Sequence, residues 1–239
     1  MNINFADKIV LVAGGTGGLG NTVSTAFLEE GARVVVTCRK EEAFAALKKA
    51  AGSKSTALEG SVVDVTDEGA TAALAASIIA KHGRLDAMVN TVGGYAGGLA
   101  LWKLETEVFD AMLSLNLRSG YALARAVLPA MLRQRHGSIV NVVAKAALDH
   151  GAGAAAYAAS KAAAVALMNS LAADVKGTGV RVNSILPSII DTAVNRKAMP
   201  NADFAAWPKP EEIARVILFL CSDSAAVIHG AAVPVYGIS

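Results

Sequence analysis

Short runs of β-branched and other apolar residues alternate along this chain with longer, alanine-rich stretches of helical periodicity. Such alternation is typical of repeated strand–helix–strand units, whose strands pair in parallel. The strand-like runs are almost continuously apolar, as expected where both faces of a sheet are covered. The pattern therefore predicts an α/β fold with a doubly wound parallel sheet of about seven strands and helices on both faces.

The predicted elements follow one another without a linker, a repeat or a charge block, so we expect residues 1–239 to form a single domain. Predicted strands are Ile9–Ala13, Arg33–Thr37, Thr56–Val63, Ala87–Asn90, Ser138–Val143, Arg181–Leu186 and Val233–Tyr236. Predicted helices are Leu19–Glu30, Glu41–Ala51, Asp67–His82, Glu105–Arg135, Ala155–Lys176 and Pro210–Cys221. Pro129 should kink the fourth helix or mark a boundary there, because proline removes a helical hydrogen bond.

Three irregular segments each follow a predicted strand: the glycine-rich loops Thr91–Gly98 and Gly151–Gly153, and the stretch Pro187–Pro208. The carboxyl ends of parallel strands share one edge of a sheet, and ligands bind at that edge in doubly wound folds. Loops as long as the third commonly act as lids or binding loops. We therefore expect a ligand site at this edge.

Composition excludes several classes of function. Hydrophobic residues make up 54% of the chain and charged residues 18%, which predicts a folded protein, and no apolar run reaches the roughly 20 residues of a membrane span. The net charge of +2 without a basic stripe argues against nucleic acid as a partner. Two cysteines form no disulfide framework, the four histidines have no ligand spacing, and no secretory signal precedes the first strand, so we expect a cytoplasmic protein without a metal site.

A glycine-rich loop, Ala13 to Gly20, connects the first strand to the first helix. Glycines at a helix N-terminus let backbone N–H groups approach a pyrophosphate, and the helix dipole favours the anion. A strand before the loop, a helix after it and a second strand about 20 residues later are the context of a Rossmann-type dinucleotide site. The alternative is a tight turn that needs positive φ.

The second strand ends at Thr37-Cys38-Arg39-Lys40, where NAD-selective sites usually have an acidic residue for the ribose 2′-hydroxyl. No acid occurs at this point, and Arg39 could bind a 2′-phosphate bidentately. The sequence therefore favours NADP(H) as cofactor, with NAD(H) still possible. Alternatively, Arg39 and Lys40 are solvated charges that follow a strand.

Tyr157 and Lys161 lie four residues apart in Tyr157-Ala158-Ala159-Ser160-Lys161, which puts both side chains on one face of a helix. A nearby cation favours a phenolate, so we expect Lys161 to lower the pKa of Tyr157 from its usual value of about 10. Tyr157 would then be able to donate or accept a proton near neutral pH.

These motifs together resemble the short-chain dehydrogenase/reductase family over nearly the whole chain. The resemblance implies cofactor contacts in the first loop at Gly14, Thr16, Gly18, Leu19 and Gly20. It implies further cofactor contacts at Arg39, Asp64, Val65, Asn90, Gly93, Tyr157, Lys161, Pro187, Ile190 and Thr192. Asp64-Val65 corresponds to the family's adenine-binding pair, Asn90-Thr91-Val92-Gly93 matches in part the family's Asn-Asn-Ala-Gly, and Pro187 to Thr192 corresponds to the segment at the nicotinamide carboxamide. Asn116 corresponds to the asparagine whose backbone helps to hold a water beside the lysine.

One departure from the family pattern concerns the substrate. Members of the family normally have a serine thirteen residues before the tyrosine, and this serine hydrogen-bonds the substrate carbonyl; here Ala144 occupies that position. A methyl group cannot donate, and loss of a comparable oxyanion-type donor typically costs about 100- to 1000-fold in rate. Ser138, within a strand, and Ser160, directed elsewhere on the helix, are not obvious replacements.

Dihydropteridine reductases also lack that serine, and the chain resembles them in three segments: Gly93–Gly98, Ala144–Asp149 and Asp191–Trp207. Their quinonoid substrate is an electron-poor ring system, for which the missing donor matters less. Tyr95 corresponds to an aromatic residue beside the pterin and could stack on a flat heterocycle. The residues at the end of the second strand favour NADP(H), whereas this resemblance implies a preference for NADH.

Two further residues are candidates for substrate binding. Lys145 could face the site beside Ala144, or it could be a surface lysine after a strand. Trp207, with Phe204, could close over the substrate and exclude water, or the two rings could pin the loop in place.

The sequence thus predicts an NAD(P)H-dependent oxidoreductase with catalytic residues Tyr157, Lys161 and Asn116, acting on a small carbonyl-like or quinonoid molecule that is possibly dihydropteridine-like. A general carbonyl or 3-oxoacyl reductase is the first alternative, and a non-catalytic NADP(H)-binding sensor that has lost the serine is the second. The family resemblance also implies a homodimer or a homotetramer.

Overall fold

A computed structural model describes residues 3–238. Within this range one parallel sheet contains seven strands in the order β3-β2-β1-β4-β5-β6-β7. The strands are β1 Ile9–Ala13, β2 Arg33–Cys38, β3 Leu58–Val62, β4 Ala87–Asn90, β5 Gly137–Val142, β6 Val180–Pro187 and β7 Ala232–Val235. The strand order reverses between β1 and β4, which places a crevice at their carboxyl ends. The predicted fold class is confirmed.

Eight α-helices are present in the described part of the chain. They are α1 Gly18–Glu29, α2 Glu41–Ala50, α3 Glu68–His82, α4 Thr106–Leu113, α5 Ser119–Gln134, α6 Ala155–Asp174, α7 Ala193–Ala198 and α8 Pro210–Cys221. Capping residues fix several of their ends. Asp67 accepts a hydrogen bond from the backbone N–H of Ala70 at the start of α3, and Gly83 ends that helix in the left-handed conformation.

The core has two layers because alternate strand residues point to opposite faces of the sheet. On one face, Val12, Val36 and Ile185 pack against α1 and α8 through residues such as Phe27 and Ile217. On the other face, strand residues such as Leu11, Met88 and Ile139 pack against α3, α5 and α6. Residues between these layers lie far from water, so the polar side chains there need partners within the protein.

Most predicted ends differ from the observed ones by at most two residues, and the causes of three differences are clear. The third strand starts at Leu58, two residues later than predicted, because residues 52–57 form a 3₁₀ helix. The predicted fourth helix is interrupted by a π-helical turn, Ser114–Arg118, and not at Pro129, which lies inside α5. Pro129 is exposed, so water can satisfy the carbonyl that its missing N–H leaves free. The irregular segment Pro187–Pro208 contains the short helix α7, which the sequence analysis did not predict.

Strand register brings three segments together at the carboxyl edge. Ala13 pairs with Asn90, and Asn90 pairs with Asn141. The first glycine loop, the loop after β4 and the segment after β5 therefore begin side by side. None of the helices in residues 3–238 has the length and apolar character needed to cross a membrane.

Candidate active site

Tyr157 and Lys161 lie one turn apart near the start of α6, as the spacing predicts. The ammonium nitrogen Nζ of Lys161 is 5.8 Å from the centroid of the Tyr157 ring. Lys161 is only 4% exposed, and no carboxylate in residues 3–238 forms an ion pair with it. A buried cation beside a phenol can hold a polar ligand and a developing negative charge in the same small volume.

Burial shifts both pKa values in directions that favour the neutral groups. Burial raises the pKa of Tyr157 to about 12, with a smaller contribution from the neighbouring phenol of Tyr95. Burial lowers the pKa of Lys161 to about 8. The pKa of Tyr157 is therefore shifted upwards and not downwards as expected, because desolvation of the phenolate is the largest cause of the shift. At neutral pH Tyr157 is a protonated phenol, which is the form that donates a proton.

Asn116 lies in the π-helical turn between α4 and α5 and is buried. Its Oδ1 accepts a hydrogen bond from the N–H of Gly94 at 2.9 Å, and its Nδ2 donates to the Gly94 carbonyl at 3.0 Å. The same Nδ2 donates to the Ser160 hydroxyl at 3.0 Å, and Ser160 in turn donates to the Tyr157 carbonyl at 2.7 Å. Asn116 thus connects the loop after β4 to the helix that holds Tyr157. π-Turns of this kind occur frequently at functional sites.

Gly93 lets the backbone approach this group of side chains closely. A Cβ at Gly93 would lie 2.9 Å from Lys161 Nζ and 3.0 Å from Asn116 Oδ1. A larger residue here would require Lys161 and Asn116 to shift, so the structure brings Gly93, Asn116 and Lys161 close together.

Tyr95, a predicted substrate residue, lies against Tyr157. The two ring centroids are 5.0 Å apart, and the ring planes meet edge to face at 77°. Tyr95 is 67% exposed, so most of this residue is accessible to solvent. Gly98, three residues further on, donates a backbone hydrogen bond to the Gly153 carbonyl at 2.9 Å, which fixes this loop against the loop before α6.

Ala144 and Lys145 follow β5 at the same edge. Ala144 is buried and precedes a single 3₁₀ turn, Lys145–Ala147. Lys145 Nζ lies 5.2 Å from the centroid of the Tyr236 ring and 3.9 Å from Asp149 Oδ2. The Lys145 ammonium group therefore interacts with both an aromatic ring and a carboxylate.

The first glycine loop forms a tight cradle before α1. The Gly17 N–H donates to the Gly14 carbonyl at 2.9 Å, and the Gly14 N–H donates to the Thr37 hydroxyl at 2.9 Å. A Cβ at Gly20 would overlap the Gly14 carbonyl, and a Cβ at Gly15 would lie 2.5 Å from Val36. No side chain caps α1 at Gly17, so the first N–H groups of the helix are open to an anion.

The segment after β6 faces this cradle. A cavity of about 360 Å³ has a lining that includes Thr16, Gly17, Gly18, Asp191 and Thr192. Within the same segment Pro187 ends β6, and Ile190 packs against the core. Leu19 lies below the loop and is buried. Of the first-loop and Pro187–Thr192 residues predicted to bind the cofactor, the structure therefore brings Thr16, Gly18 and Thr192 to one cavity.

The predicted adenine end lies at the ends of β2 and β3. Arg39 and Lys40 are exposed there, directly after β2. Asp64 accepts hydrogen bonds from the backbone N–H of Thr66 at 2.9 Å and from its hydroxyl at 2.7 Å, and these bonds lower the pKa of the Asp64 carboxyl. Val65 is buried beside it. These residues form a fixed turn with a carboxylate, next to a strand that ends in two cations.

Two predicted site residues have a different role in the structure. The Asn90 side chain donates to Asn141 Oδ1 at 2.9 Å and accepts from the Val92 N–H at 3.0 Å, so it fixes the turn after β4 and does not project into the cofactor cradle. Trp207 is 6% exposed and packs on Phe204 with ring centroids 5.0 Å apart. Of the two alternatives for these rings, the structure favours the one in which they hold the loop in place, because Trp207 packs on Phe204 and little of its side chain is exposed.

Sequence reasoning missed Thr91 and Arg196. The Thr91 hydroxyl donates to the Ala13 carbonyl at 2.7 Å and so ties the two glycine-rich loops together. Arg196 donates to both oxygens of Asp191 at 2.5 and 2.8 Å and lies 4.8 Å from the Phe204 ring centroid. The partial match of Asn90-Thr91 to the family motif could have drawn attention to Thr91. The i,i+5 spacing of Asp191 and Arg196 does not indicate an ion pair.

A doubly wound sheet with a glycine cradle at the switch point and a Tyr–Lys helix beside it defines a dinucleotide-dependent oxidoreductase. The family model described as short chain dehydrogenase matches residues 8–203, and the chain belongs to this family. The chain is 31% identical over 238 residues to the 3-oxoacyl-(acyl-carrier-protein) reductase FabG of Thermotoga maritima, covering 96% of each protein. It is 34% identical to the D-threitol dehydrogenase of Mycolicibacterium smegmatis, covering 94% of this chain and 89% of that one.

The solved structure described as ElxO with NADP bound superposes with a TM-score of 0.91 at 26% identity, covering 96% of this chain and 97% of that one. Members of the family bind NAD(P)(H), and the residues present fit such a cofactor. The uncapped helix N-terminus, the cavity lined by Thr16 to Gly18 and Thr192, and the buried Lys161 ammonium suit a pyrophosphate and polar ribose groups.

Proposed function

We propose that this protein is an NADPH-dependent reductase that transfers hydride to a flat, conjugated carbonyl-like or quinonoid substrate, with a dihydropteridine as the leading candidate. The observation that carries the proposal is the setting of Tyr157: a protonated phenol between the buried Lys161 and the exposed ring of Tyr95. An aromatic wall and no serine suit a conjugated ring system better than an isolated ketone.

The bound cofactor supplies the hydride. Tyr157 donates a proton to the heteroatom of the reduced group, and Lys161 compensates the negative charge that develops on the phenol oxygen. Asn116 positions the loop after β4 and connects it to α6, so the distance between Gly93 and Lys161 stays fixed. Gly14, Gly18, Gly20, Lys161 and Thr192 are the residues that would hold the cofactor, and Asp64 and Val65 would lie at its adenine end.

NADP(H) is the proposed cofactor because Arg39 and Lys40, and no acidic residue, directly follow β2, and Arg39 is exposed and free to turn towards a 2′-phosphate. NADP is also bound in the related structure of ElxO. We further propose that the chain is a homodimer or a homotetramer acting on a small molecule.

A general carbonyl or 3-oxoacyl reductase is the second candidate, favoured by the likeness to the Thermotoga maritima reductase over 96% of both chains. Steady-state oxidation of NADPH with quinonoid dihydropterin, diacetyl and an acetoacetyl ester separates the two. We expect the highest kcat/KM with the pterin. A preference for the ester by tenfold or more would support the second candidate instead.

A third outcome would contradict both. If the protein binds NADPH, as measured by fluorescence, yet oxidises it with none of the three substrates, a cofactor-binding sensor becomes the better description. The variant Ala144→Ser is a useful companion, since it restores the family's usual donor and should increase activity with diacetyl more than with the pterin.

A further inference from the structure

The exposed ring of Tyr95 packs edge to face against the proton donor Tyr157, and the buried Ala144 after β5 supplies no hydroxyl. We propose that Tyr95 is a catalytic residue that donates a second hydrogen bond to the substrate atom protonated by Tyr157, in place of the donor absent at Ala144. This inference rests on the proposed function and assigns to Tyr95 a role beyond that of an aromatic wall.

Tyr95 sits on a loop that is fixed on both sides. On one side, Asn116 holds Gly94 through bonds of 2.9 and 3.0 Å to its N–H and carbonyl groups. On the other side, the Gly98 N–H donates to the Gly153 carbonyl at 2.9 Å. A donor on a loop anchored in this way keeps its position as the reaction proceeds, which is the requirement for electrostatic stabilisation.

Glycine at position 97 makes room for the Tyr95 hydroxyl. A Cβ at Gly97 would overlap the Tyr95 oxygen Oη, and the same Cβ would lie 3.0 Å from the Gly153 carbonyl oxygen. The hydroxyl therefore lies over Gly97, on the side that faces the Gly151–Gly153 loop between β5 and α6. Ala144 follows β5 at the start of the same connection.

The hydroxyl is also available. Within residues 3–238 no protein group forms a hydrogen bond with the Tyr95 oxygen, and the side chain is mostly exposed. The two phenols interact electrostatically, because a charge on Tyr95 would oppose ionisation of Tyr157. This repulsion is one cause of the raised pKa of Tyr157. A phenol hydroxyl can donate a hydrogen bond, so two neighbouring tyrosines can offer two O–H donors to one acceptor atom.

Other donors near the site are engaged elsewhere. The Ser160 hydroxyl donates to the Tyr157 carbonyl at 2.7 Å, and the Ser138 hydroxyl donates to the Leu220 carbonyl at 3.2 Å. Lys145 is held by the Tyr236 ring and Asp149. Tyr95 is therefore the side chain best placed to compensate for Ala144.

The proposed reduction needs no reactant other than the cofactor, the substrate and the proton of Tyr157. Hydride from the cofactor forms the new bond to carbon, the proton of Tyr157 moves to the adjacent oxygen or nitrogen, and the electron pair of the reduced double bond accepts that proton. Tyr95 keeps its own proton and contributes only a hydrogen bond, which strengthens as negative charge develops on the heteroatom.

Tyr95→Phe tests the proposal, because it keeps the ring and removes only the hydroxyl. With the best of the three substrates named above, we expect kcat to fall about 100-fold. The Kd for NADPH and the melting temperature should stay unchanged, and the KM of the substrate should change by no more than about threefold. Tyr121→Phe is the matched control: Tyr121 is an exposed tyrosine on α5 whose hydroxyl contacts Arg125, and its loss should leave kcat unaltered.

The decisive variant is Tyr95→Phe combined with Ala144→Ser. If the two hydroxyls donate to the same substrate atom, the double variant should have a kcat at least tenfold higher than that of Tyr95→Phe alone. Ala144→Ser should not increase the kcat of Tyr157→Phe. A Tyr95→Phe protein with kcat within twofold of wild type overturns the proposal, and so does a loss that Ala144→Ser leaves uncorrected. Absence of turnover in the wild-type protein would instead overturn the proposed function itself, and this inference with it.

Discussion

Asn116 and Gly94 form a reciprocal pair of hydrogen bonds, in which the side-chain amide contacts both the N–H and the carbonyl of the glycine, at 2.9 and 3.0 Å. The pair joins the π-helical turn before α5 to the loop that holds Tyr95 and Gly93. Because Asn116 also donates to Ser160 on α6, one buried side chain sets the distance between the loop and the catalytic helix.

Replacement of Asn116 by alanine should therefore affect both stability and catalysis. Removing the side chain leaves Gly94 and Ser160 without their partner, and we expect a loss of about 1–3 kcal/mol in the free energy of unfolding. We also expect kcat to fall by at least tenfold, since Tyr95 and Gly93 lose their anchor. Urea denaturation and steady-state assays measure the two effects. Asn169→Ala, at an exposed position on α6, should change neither.

Tyr157→Phe should nearly abolish reduction while leaving cofactor binding intact. The phenol is the proton donor, and loss of a general acid typically lowers the rate by about 100- to 10,000-fold. The ring remains, so the packing against Tyr95 and the contact with Lys161 should persist. Single-turnover oxidation of NADPH and fluorescence titration of NADPH measure the two properties; turnover close to that of wild type would exclude Tyr157 as the acid.

Arg39→Asp should move the cofactor preference from NADPH towards NADH. The substitution removes a charge-assisted contact with the 2′-phosphate and adds an acceptor for a 2′-hydroxyl. We expect kcat/KM for NADPH to decrease about 10- to 100-fold and that for NADH to increase. Arg133→Asp makes the same charge change at an exposed position on α5 and serves as the control. An unaltered ratio of the two kcat/KM values would mean that Arg39 is only a solvated charge.

The buried Lys161 should make the stability of the ligand-free protein depend on pH. Its pKa is about 8 in the folded state and 10.5 in its ordinary state, so between these values the unfolded chain binds more protons than the folded one. The free energy of unfolding must then rise with pH from about 8 to 10.5, by on the order of 3 kcal/mol if no other group titrates. Below pH 8 both states carry the charge, and this contribution is flat.

Tyr157 acts in the opposite direction at higher pH. Its pKa is about 12 when folded and 10.0 ordinarily, so the folded state keeps a proton that the unfolded state has lost, and stability falls from about pH 10 to 12. Urea denaturation between pH 7 and 10 measures the rise due to Lys161. Lys161→Met should remove it, and Lys176→Met, at an exposed lysine just beyond α6, should keep it. A wild-type curve that is flat between pH 8 and 10 would contradict the burial of the charge.

Much of the fold and the location of the site follow from local patterns. The strands Ile9–Ala13 and Ala87–Asn90 and the helix Pro210–Cys221 have the bounds that we predicted, because apolar runs and flanking glycine or proline mark them clearly. The spacing of Tyr157 and Lys161 places them on one helix face whatever surrounds the helix. The first loop lies before α1 because glycine-rich chain separates a strand from a helix.

Tertiary contacts decided what local pattern could not. Pro129 lies within α5 because its face is exposed, and the true interruption is a π-turn held by Asn116, whose partners Gly94 and Ser160 are distant in sequence. Burial of Trp207 depends in the same way on Phe204 and its neighbours around the segment after β6.

The sequence alone determined the order of strands and helices, the glycine cradle and the pairing of Tyr157 with Lys161, because each depends on residues within a few turns of chain. Only the tertiary structure decided the pKa values of that pair and the contact of Tyr95 with Tyr157. Both depend on how much water is excluded and which charges come near, and these quantities are set by segments that meet only when the sheet is assembled.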